Sequence, residues 1–475
     1  MIKITFLCLI VLYNLNCLAQ EFPPALTQHQ MYEDFDEFVH IIENANTQLP
    51  IRKAVTRYNQ LDSMKLLRFR IDTIQDYYSF ISLLDIALGY MYDIHAVMAK
   101  QFYEQMDDSS GVDKEVINQI YTGYRQWMND LNETSNQQGK RWFPCNPSYI
   151  DGNYYLHGFY ILINEYDTVV LKNTKIISYE NIPYHNYVLK NNARFFKGSI
   201  RWDFKKNQYF SNASAFHNEG ELVVEDEKGN RDTINLSAYK GIMAKQFSDT
   251  TLFRHPNFKY CLPHKREKKV LFFETDKILY IYLNDMYDAE NTFIAKVKEL
   301  GGNKEIEKII IDVRGNRGGG DPFWHQLLKA IVADSLIYDV QMAFCNSELM
   351  RERLGAHAES TSLKVQMFHW LPDVELLVTQ YTPTYFVPDS NSLQYKGKIY
   401  VLQDEDVFSS GLSLTTYCSH VEQLVSVGEP TGLLAGFGLT PFLYQLKNSK
   451  FSFRLEPAVD ITKANSALDV YQDFP

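Results

Sequence analysis

The sequence predicts an α/β fold with mixed α and β structure, and two observations predict it. Short apolar and β-branched runs at residues 309–311 and 399–402 are typical of buried strands. Apolar residues at helix spacing, Leu414, Tyr417 and Val421, follow the second run, and another strand-like run comes after them. Strand, helix and strand in this order indicate βαβ units around a mixed or parallel sheet that helices cover on both sides.

Length, charge and cysteine usage limit the functions open to the chain. Its 475 residues are enough for two or three domains, and a hydrophobic content of 45% is enough for a substantial core. The formal net charge of −11 argues against nucleic acids and anionic membranes as partners. The six cysteines show no metal-ligand spacing. We therefore expect buried thiols, no metal site and no cofactor, while the oligomeric state stays open.

The first twenty residues have the features of a secretory signal peptide. They contain one lysine, an apolar core and the small residue Ala19 near the end. We expect residues 1–19 to be removed, which leaves a secreted or periplasmic protein without an integral membrane segment. Cys17 raises the alternative of a lipid anchor, but residues 14–16 before it form a poor lipobox.

A helical region is expected after the signal, at residues 20–145. Tyr32, Phe35 and Phe38 begin a series of apolar residues at helix spacing, and a second such series approaches Asp93 and His95. This spacing predicts an N-terminal helical domain.

A glycine-rich loop follows the strand-like run at residues 309–311, where the chain reads DVRGNRGGG. The three consecutive glycines at 318–320 allow positive φ angles and close approach of backbone N–H groups to a ligand. No Gly-Lys-Ser/Thr sequence follows, and dinucleotide-type glycine spacing is absent, so a nucleotide site is not indicated. We expect Asp312 to pair with Arg314, because an isolated charge at the end of a buried strand is costly.

Ser409 lies where the chain leaves the strand-like run at 399–402 and enters the next helix. A hydroxyl at such a turn is accessible, and the N-terminal amides of the helix lie beside it to bind developing negative charge. The alternative is that Ser409 and Ser410 only cap the helix.

Together, DVRGNRGG and the downstream sequence FSSG, helix, VGEPTG resemble one family of serine peptidases. The family includes carboxy-terminal processing proteases, the tricorn protease core and the interphotoreceptor retinoid-binding protein modules. The resemblance covers about residues 271–432. It implies a ClpP/crotonase-like core of βαβ units, serine endopeptidase activity, and a peptide or unfolded protein as substrate.

The resemblance also implies roles for individual residues. Ser409 is expected to be the nucleophile, and the backbone N–H groups of Gly318 and Ser410 are expected to form the oxyanion hole. Gly319 and Gly320 are expected to contact the substrate.

The general base is expected to be His95, because members of the tricorn-like branch carry an Asp-x-His sequence in the equivalent helical region. The processing-protease branch uses a lysine instead, but residues 433–435 are Leu-Leu-Ala at that place. His325, beside the glycine loop, is the alternative base.

A carboxylate is needed to orient a histidine base, and the tricorn-like branch contributes it late in the chain. Glu456 is our expected residue for this role, and Asp460 and Glu429 are the alternatives.

A small β-rich domain is expected at residues 150–262. Residues 174–183 resemble a PDZ segment with Glu-Asn in place of Asn-Gly, and residues 222–234 have the pattern of a hairpin. A PDZ-like domain would bind an extended chain at an exposed strand edge, whereas a plain β-domain would only pack against the core. The peptidase core is then expected at residues 268–475.

Two other functions remain open. The chain lacks the Pro-Asp-Ile sequence with which members of the resembled family usually end. This departure is consistent with a catalytically inactive relative that binds a peptide or a hydrophobic ligand. A different serine hydrolase, such as an esterase, is disfavoured because Val407 stands where Gly-x-Ser-x-Gly requires glycine.

Overall fold

The structure is a computed structural model. It describes residues 23–93, 95–100, 112–137, 142–145, 147–163, 168–195, 200–203, 205–211, 214–217, 220–238, 241–245, 267–288, 292–355, 363–379, 384–404, 406–430 and 441–471. The expected signal peptide, Cys17 and Cys261 lie outside these residues. None of the described helices is long and apolar enough to cross a membrane.

The helices concentrate near the amino terminus and around the central sheet. They are α1 (Gln28–Ala45), α2 (Gln48–Thr56), α3 (Gln60–Lys65), α4 (Tyr77–Gly89), α5 (Lys114–Gln137), α6 (Tyr184–Phe195), α7 (Thr292–Gly301), α8 (Asp321–Ile331), α9 (Glu348–Gly355), α10 (Ser410–Cys418) and α11 (Ala467–Tyr471). Short 3-10 helices span Leu66–Thr73 and Leu236–Ala238.

The strands up to the central sheet are β1 (Val97–Met98), β2 (Trp142–Cys145), β3 (Ser148–Ile150), β4 (Asn153–Ile163), β5 (Thr168–Tyr179), β6 (Ile182–Pro183), β7 (Ile200–Asp203), β8 (Gln208–Ser211), β9 (Ser214–His217), β10 (Glu221–Glu225), β11 (Arg231–Asn235) and β12 (Gly241–Lys245). The later strands are β13 (Lys269–Phe273), β14 (Ile278–Tyr282), β15 (Lys308–Asp312), β16 (Leu336–Tyr338), β17 (Met342–Cys345), β18 (Leu363–Phe368), β19 (Leu371–Thr379), β20 (Thr384–Phe386), β21 (Ile399–Gln403), β22 (Leu424–Gly428), β23 (Phe442–Gln445), β24 (Ser452–Leu455) and β25 (Ala458–Asp460).

The central sheet has the strand order β13-β14-β15-β21-β22. Strands β14, β15, β21 and β22 are parallel, and β13 is the antiparallel edge. Parallel strands need crossover connections, and the apolar faces of α7, α8 and α10 pack against this sheet in one core. The predicted α/β fold class is therefore confirmed. Because β15 and β21 are parallel, the loops that follow them meet at the same edge of the sheet.

A separate sheet, ordered β11-β10-β5-β4-β12, occupies the middle of the chain. The predicted hairpin is confirmed as β10 and β11, with Leu222 opposite Ile234. Glu180 and Asn181, which stand in place of Asn-Gly in the PDZ-like segment, have φ angles of 53° and 59° and connect β5 to β6. Two consecutive positive φ angles are typical of a tight hairpin turn. A PDZ-like binding role for this sheet stays a prediction.

The N-terminal helices and the last strands of the chain share one hydrophobic core. The ring of Phe38 in α1 lies with its centroid 5.0 Å from that of Phe453 in β24. Strand β1 continues this contact by pairing with β24, with Val97 opposite Arg454. The segment just before β1 is thereby held next to the segment just after β24.

Candidate active site

The turn between β21 and α10 holds Ser409 in an unusual backbone conformation. Its φ angle is 54° and its ψ angle is −126°. A non-glycine residue in such a region costs about 1–3 kcal/mol, which surrounding structure must offset. Ser409 occupies the N-cap position, but its side chain makes no capping hydrogen bond. The alternative that this hydroxyl serves only as a helix cap is therefore not supported, and the half-buried hydroxyl is left for other contacts.

The glycine loop lies directly against this turn. A Cβ atom built on Gly318 would fall 2.5 Å from Ser409 Cβ and 3.0 Å from Ser409 Oγ. Gly319 is equally enclosed on its other side, where a Cβ would lie 2.7 Å from the backbone of Met286. The φ angles of Gly318 and Gly319 are 97° and 148°, which side chains rarely allow. The close packing thus requires glycine at both positions.

Asn316 connects the glycine loop to both neighbouring segments. Its side chain is fully buried, and Nδ2 donates to the carbonyl oxygen of Leu283 at 2.9 Å. Its Oδ1 accepts the N–H of Gly318 at 2.8 Å, and its backbone oxygen accepts the N–H of Phe408 at 2.9 Å. The N–H of Gly318, which we expected to bind an oxyanion, therefore donates within the loop in this structure.

The predicted pairing of Asp312 with Arg314 is confirmed. Arg314 Nε lies 2.9 Å from Asp312 Oδ1, and Nη2 lies 2.6 Å from Oδ2. The Asp312 carboxylate also accepts the hydroxyl of Tyr280 and the N–H of Arg314. Burial and the neighbouring carboxylate raise the pKa of Tyr280, so its hydroxyl stays a donor. This cluster holds the start of the glycine loop.

His95 lies against the turn that holds Ser409 and next to Glu456. Its Nδ1 is 2.9 Å from Glu456 Oε2, and its ring centroid is 4.6 Å from that of Phe408, the residue before Ser409. At this distance the two groups form an ion pair when the imidazole ring is protonated. The backbone N–H of His95 donates to Asp93 Oδ1 at 2.9 Å.

Glu456 has no exposed surface, and its burial affects its titration. Burial raises the pKa of this carboxyl group above its usual value, and the charge of Asp93 raises it further. The contacts with His95 and the charge of Arg454 lower the pKa of Glu456, but they do not cancel the increase. A fully buried carboxylate facing an imidazole ring is the arrangement that orients a histidine base in serine hydrolases.

The alternative residues lie elsewhere. Asp460 Oδ2 is 3.3 Å from His420 Nε2, and Glu429 is exposed, with its backbone bonded to Gln403. The ring of His325 packs against Phe386, with 4.6 Å between centroids. Burial lowers the pKa of His325 to about 4, which makes it a weak base at neutral pH.

Sequence reasoning missed the contribution of the loop after β14. Met286 donates its N–H to the carbonyl oxygen of Gly318 and accepts the N–H of Gly320, so it forms the second wall of the glycine loop. The sequence offered one signal for this contribution: if the strands β14 and β15 are parallel, the loops that follow them lie at the same edge of the sheet. Residues 433–435, where a lysine base was excluded, lie outside the described residues.

The described residues contain no group of three or more metal-ligating side chains. Cys345, which is partly exposed, and Cys418, which is buried, are present as thiols, and burial of its sulfur raises the pKa of Cys345 to about 11.

Comparison of the sequence with protein-family models gives a match, and it covers most of the site. The family model described as Peptidase family S41 matches residues 277–467, which include Gly318, Ser409 and Glu456 but not His95. No match was found among curated proteins.

Solved structures with a similar fold were also found. Mature CPAF has a TM-score of 0.53 and 11% sequence identity, over 95% of this chain and 92% of that chain. Mature CPAF complexed with lactacystin has a TM-score of 0.52 and 12% identity, over 94% of this chain and 96% of that one. At such identities the similarity establishes a shared fold. The photosystem II D1 C-terminal processing protease, at a TM-score of 0.38 and 11% identity over 95% and 92% of the two chains, is more distant.

Proposed function

Residues 277–467 belong to peptidase family S41, and from this premise we propose that the chain is a serine endopeptidase with Ser409 as its nucleophile. The observation that carries the proposal is the contact of 2.9 Å between His95 Nδ1 and Glu456 Oε2, made beside the turn that holds Ser409. Ser409, His95 and Glu456 come from distant parts of the chain. Acyl transfer needs a nucleophile, a base and a group that orients the base, and these three side chains can supply them.

In the proposed mechanism, His95 accepts the proton of Ser409 through Nε2, because Nδ1 faces Glu456. The Ser409 oxygen then attacks the peptide carbonyl, and Glu456 stabilises the imidazolium that forms. His95 returns the proton to the leaving amine, and water releases the acyl group by the same steps in reverse.

The oxyanion hole is proposed to consist of the N–H groups of Ser410 and Gly318. The Gly318 N–H must first exchange Asn316 Oδ1 for the substrate oxygen, which a glycine with a φ angle of 97° can do by local backbone rotation. Loss of one such donor costs about 3 kcal/mol of transition-state stabilisation. Gly319 and Gly320 complete the proposed contact with the substrate backbone.

The proposed substrates are peptides or unfolded proteins, since the reaction requires an accessible peptide bond. The signal-like segment at residues 1–20 supports export, to the periplasm or the medium, as a further part of the proposal. A catalytically inactive peptide-binding protein is the second candidate, and the Gly318 N–H, which is occupied by Asn316, is the observation that favours it.

The test is labelling of the purified protein with a fluorophosphonate serine probe, followed by peptide mapping. We expect labelling at Ser409 that is lost in Ser409→Ala and His95→Ala. Ser419→Ala is the matched control, because Ser419 is an exposed serine beyond the end of the same helix. Well-folded protein that does not label would favour the inactive binding protein.

A further inference from the structure

Arg317 presents a positive charge beside the proposed nucleophile. It lies in the glycine loop between Asn316, whose backbone oxygen accepts the N–H of Phe408 at 2.9 Å, and Gly318, where a Cβ atom would fall 2.5 Å from Ser409 Cβ. Both neighbours are held against the turn that carries Ser409, so the backbone of Arg317 is held there as well. Its side chain is nevertheless 78% exposed. The fold therefore places this guanidinium at the surface of the proposed site and not in its core.

The other hydrogen-bonded charges of the two loops are already used within the protein. Arg314 donates two hydrogen bonds to Asp312, whose side chain is 1% exposed. Asp404 Oδ1 accepts the backbone N–H groups of Gly315 and Asp406, at 2.9 and 3.1 Å. A substrate would have to break these hydrogen bonds to use the same charges.

Arg317 makes no hydrogen bond with the part of the chain that the structure describes, so its donors are open to a ligand. The carboxylate of Asp406 lies near it, with 3.7 Å between Nη2 and Oδ1, which is an ion pair beyond hydrogen-bond range. The side chain of Asp406 is 52% exposed, and exposed ion pairs of this kind contribute little to stability. A guanidinium has five N–H donors in a planar fork, and a carboxylate can accept two of them at once. Arg317 can therefore exchange Asp406 for another carboxylate, or bind a second one.

We propose that Arg317 binds a carboxylate of the substrate next to the bond that is cut, so that the site selects substrates with an acidic group there. This inference rests on the proposed function. Because the N–H of Gly318 is proposed to bind the oxygen of the attacked carbonyl, the adjacent Arg317 side chain reaches substrate residues near that carbonyl. An extended chain advances about 3.3 Å per residue, which limits the acidic group to about two residues on either side. An Asp or Glu side chain, or the C-terminus of the substrate, supplies the carboxylate.

The negative charge of the protein makes a local cation decisive for such a substrate. The formal net charge of −11 repels acidic peptides, and Asp404 and Asp406 add negative charge in the turn itself. Within residues 312–320, Arg317 is the one cation apart from Arg314, which is paired. Asp406 competes with the substrate carboxylate for Arg317. Removing the charge of Arg317 and removing the charge of Asp406 should therefore have opposite effects.

Cleavage of a proteome-derived peptide mixture, with the cut sites identified by mass spectrometry, tests the inference. For wild type we expect enrichment of an acidic group at one position within about two residues of the cut. The enrichment should be lost in Arg317→Gln and should increase in Asp406→Asn. Arg351→Gln is the matched control, because Arg351 is an exposed arginine in α9 that bonds to Asn346. This variant should keep the wild-type profile.

A matched pair of peptides, with Glu or Gln at the selected position, measures the size of the effect. The ratio of kcat/KM for the Glu peptide to that for the Gln peptide should fall about 10-fold in Arg317→Gln. Arg317→Lys should retain part of the ratio, because it keeps the charge and loses the planar fork. The ratio should also fall as the salt concentration rises, since the contact is exposed to solvent. Peptides with an amidated C-terminus separate the two sources, because amidation removes the preference only if the terminal carboxylate is the bound group.

A cleavage profile without acidic enrichment, or one that Arg317→Gln leaves unchanged, would overturn the inference and leave the peptidase activity standing. Selection of Lys or Arg that is lost in Asp406→Asn would overturn it as well, since recognition would then belong to Asp406.

Wild-type protein that neither labels at Ser409 nor cleaves peptides would overturn the proposed function instead. Carboxylate binding is then measured by fluorescence anisotropy with fluorescein-labelled Glu-containing peptides and their Gln counterparts. Weaker binding of the Glu peptides by Arg317→Gln than by wild type would support the role of Arg317. Equal binding by the two proteins would overturn it.

Discussion

Gly318 and Ser409 are in direct contact: a Cβ atom at position 318 would lie 2.5 Å from the Cβ atom of Ser409. Ser409 is held by the start of α10, and Gly318 is held by Asn316 and Met286. The loop after β15 and the turn after β21 therefore form one unit at the edge of the sheet.

We predict that Gly318→Ala reduces Ser409 labelling by at least about 100-fold, because a displaced Gly318 N–H would cost as much as the loss of one oxyanion donor. The added methyl group overlaps Ser409 and also strains a φ angle of 97°. Gly315→Ala is the control, because Gly315 has a φ angle of 73° in the same loop but open space around its Cβ position. Equal loss of labelling in the two variants would show that backbone strain, and not the contact with Ser409, is responsible.

Asn316→Asp should destabilise the protein by about 2–4 kcal/mol and reduce labelling. A carboxylate cannot donate to the oxygen of Leu283, and it places a charge at a fully buried position. Chemical denaturation measures the free energy of unfolding. As a control, Asn391→Asp changes an exposed asparagine that accepts from Lys298 and should have little effect. A stable Asn316→Asp variant would contradict the conclusion that the Asn316 side chain connects the glycine loop to the loop after β14.

Arg52→Met should destabilise the protein by about 2–4 kcal/mol, because the buried backbone oxygens of Met91 and Tyr92 lose their donor. The segment that carries His95 follows directly, so labelling should also decrease. Lys53→Met, an exposed change in the same helix, is the control. The expectation is wrong if both variants unfold at the same denaturant concentration and label at the same rate.

His420 should make the stability of the protein depend on pH. Its Nδ1 lies 3.1 Å from the carbonyl oxygen of Asp339 and its Nε2 lies 3.3 Å from Asp460 Oδ2, so both nitrogens face acceptors. Burial and Lys463 act to lower the pKa of His420, but the hydrogen bond and charge of Asp460, together with Asp339, outweigh them and raise it.

A raised pKa means that the folded state favours the protonated ring. The contribution of His420 to stability is therefore complete below about pH 6.5 and is lost as the pH rises through the folded-state pKa. We expect the Tm of wild type to fall over that range and the Tm of His420→Gln to fall less. Parallel Tm curves for the two proteins would show that His420 does not titrate as described.

Much of the fold and the site was predictable because its signals are local. The glycines at 318–320 and the strand before them are contiguous, and the strand, turn and helix around Ser409 occupy another short stretch. The hairpin β10–β11 was also read from adjacent residues. Local signals could not choose among Glu456, Asp460 and Glu429, since all three are acidic residues with no distinguishing pattern near them.

The sequence by itself determined the α/β fold class and the position of the serine turn and glycine loop, because strand periodicity and glycine conformation are properties of neighbouring residues. The tertiary structure decided which carboxylate meets His95. Pairing of β1 with β24 puts Val97 opposite Arg454 and so places His95 beside Glu456. Asp460 lies at the end of the next strand, β25, and contacts His420 instead. That choice depends on the register between strands from opposite ends of the chain, which no local pattern specifies.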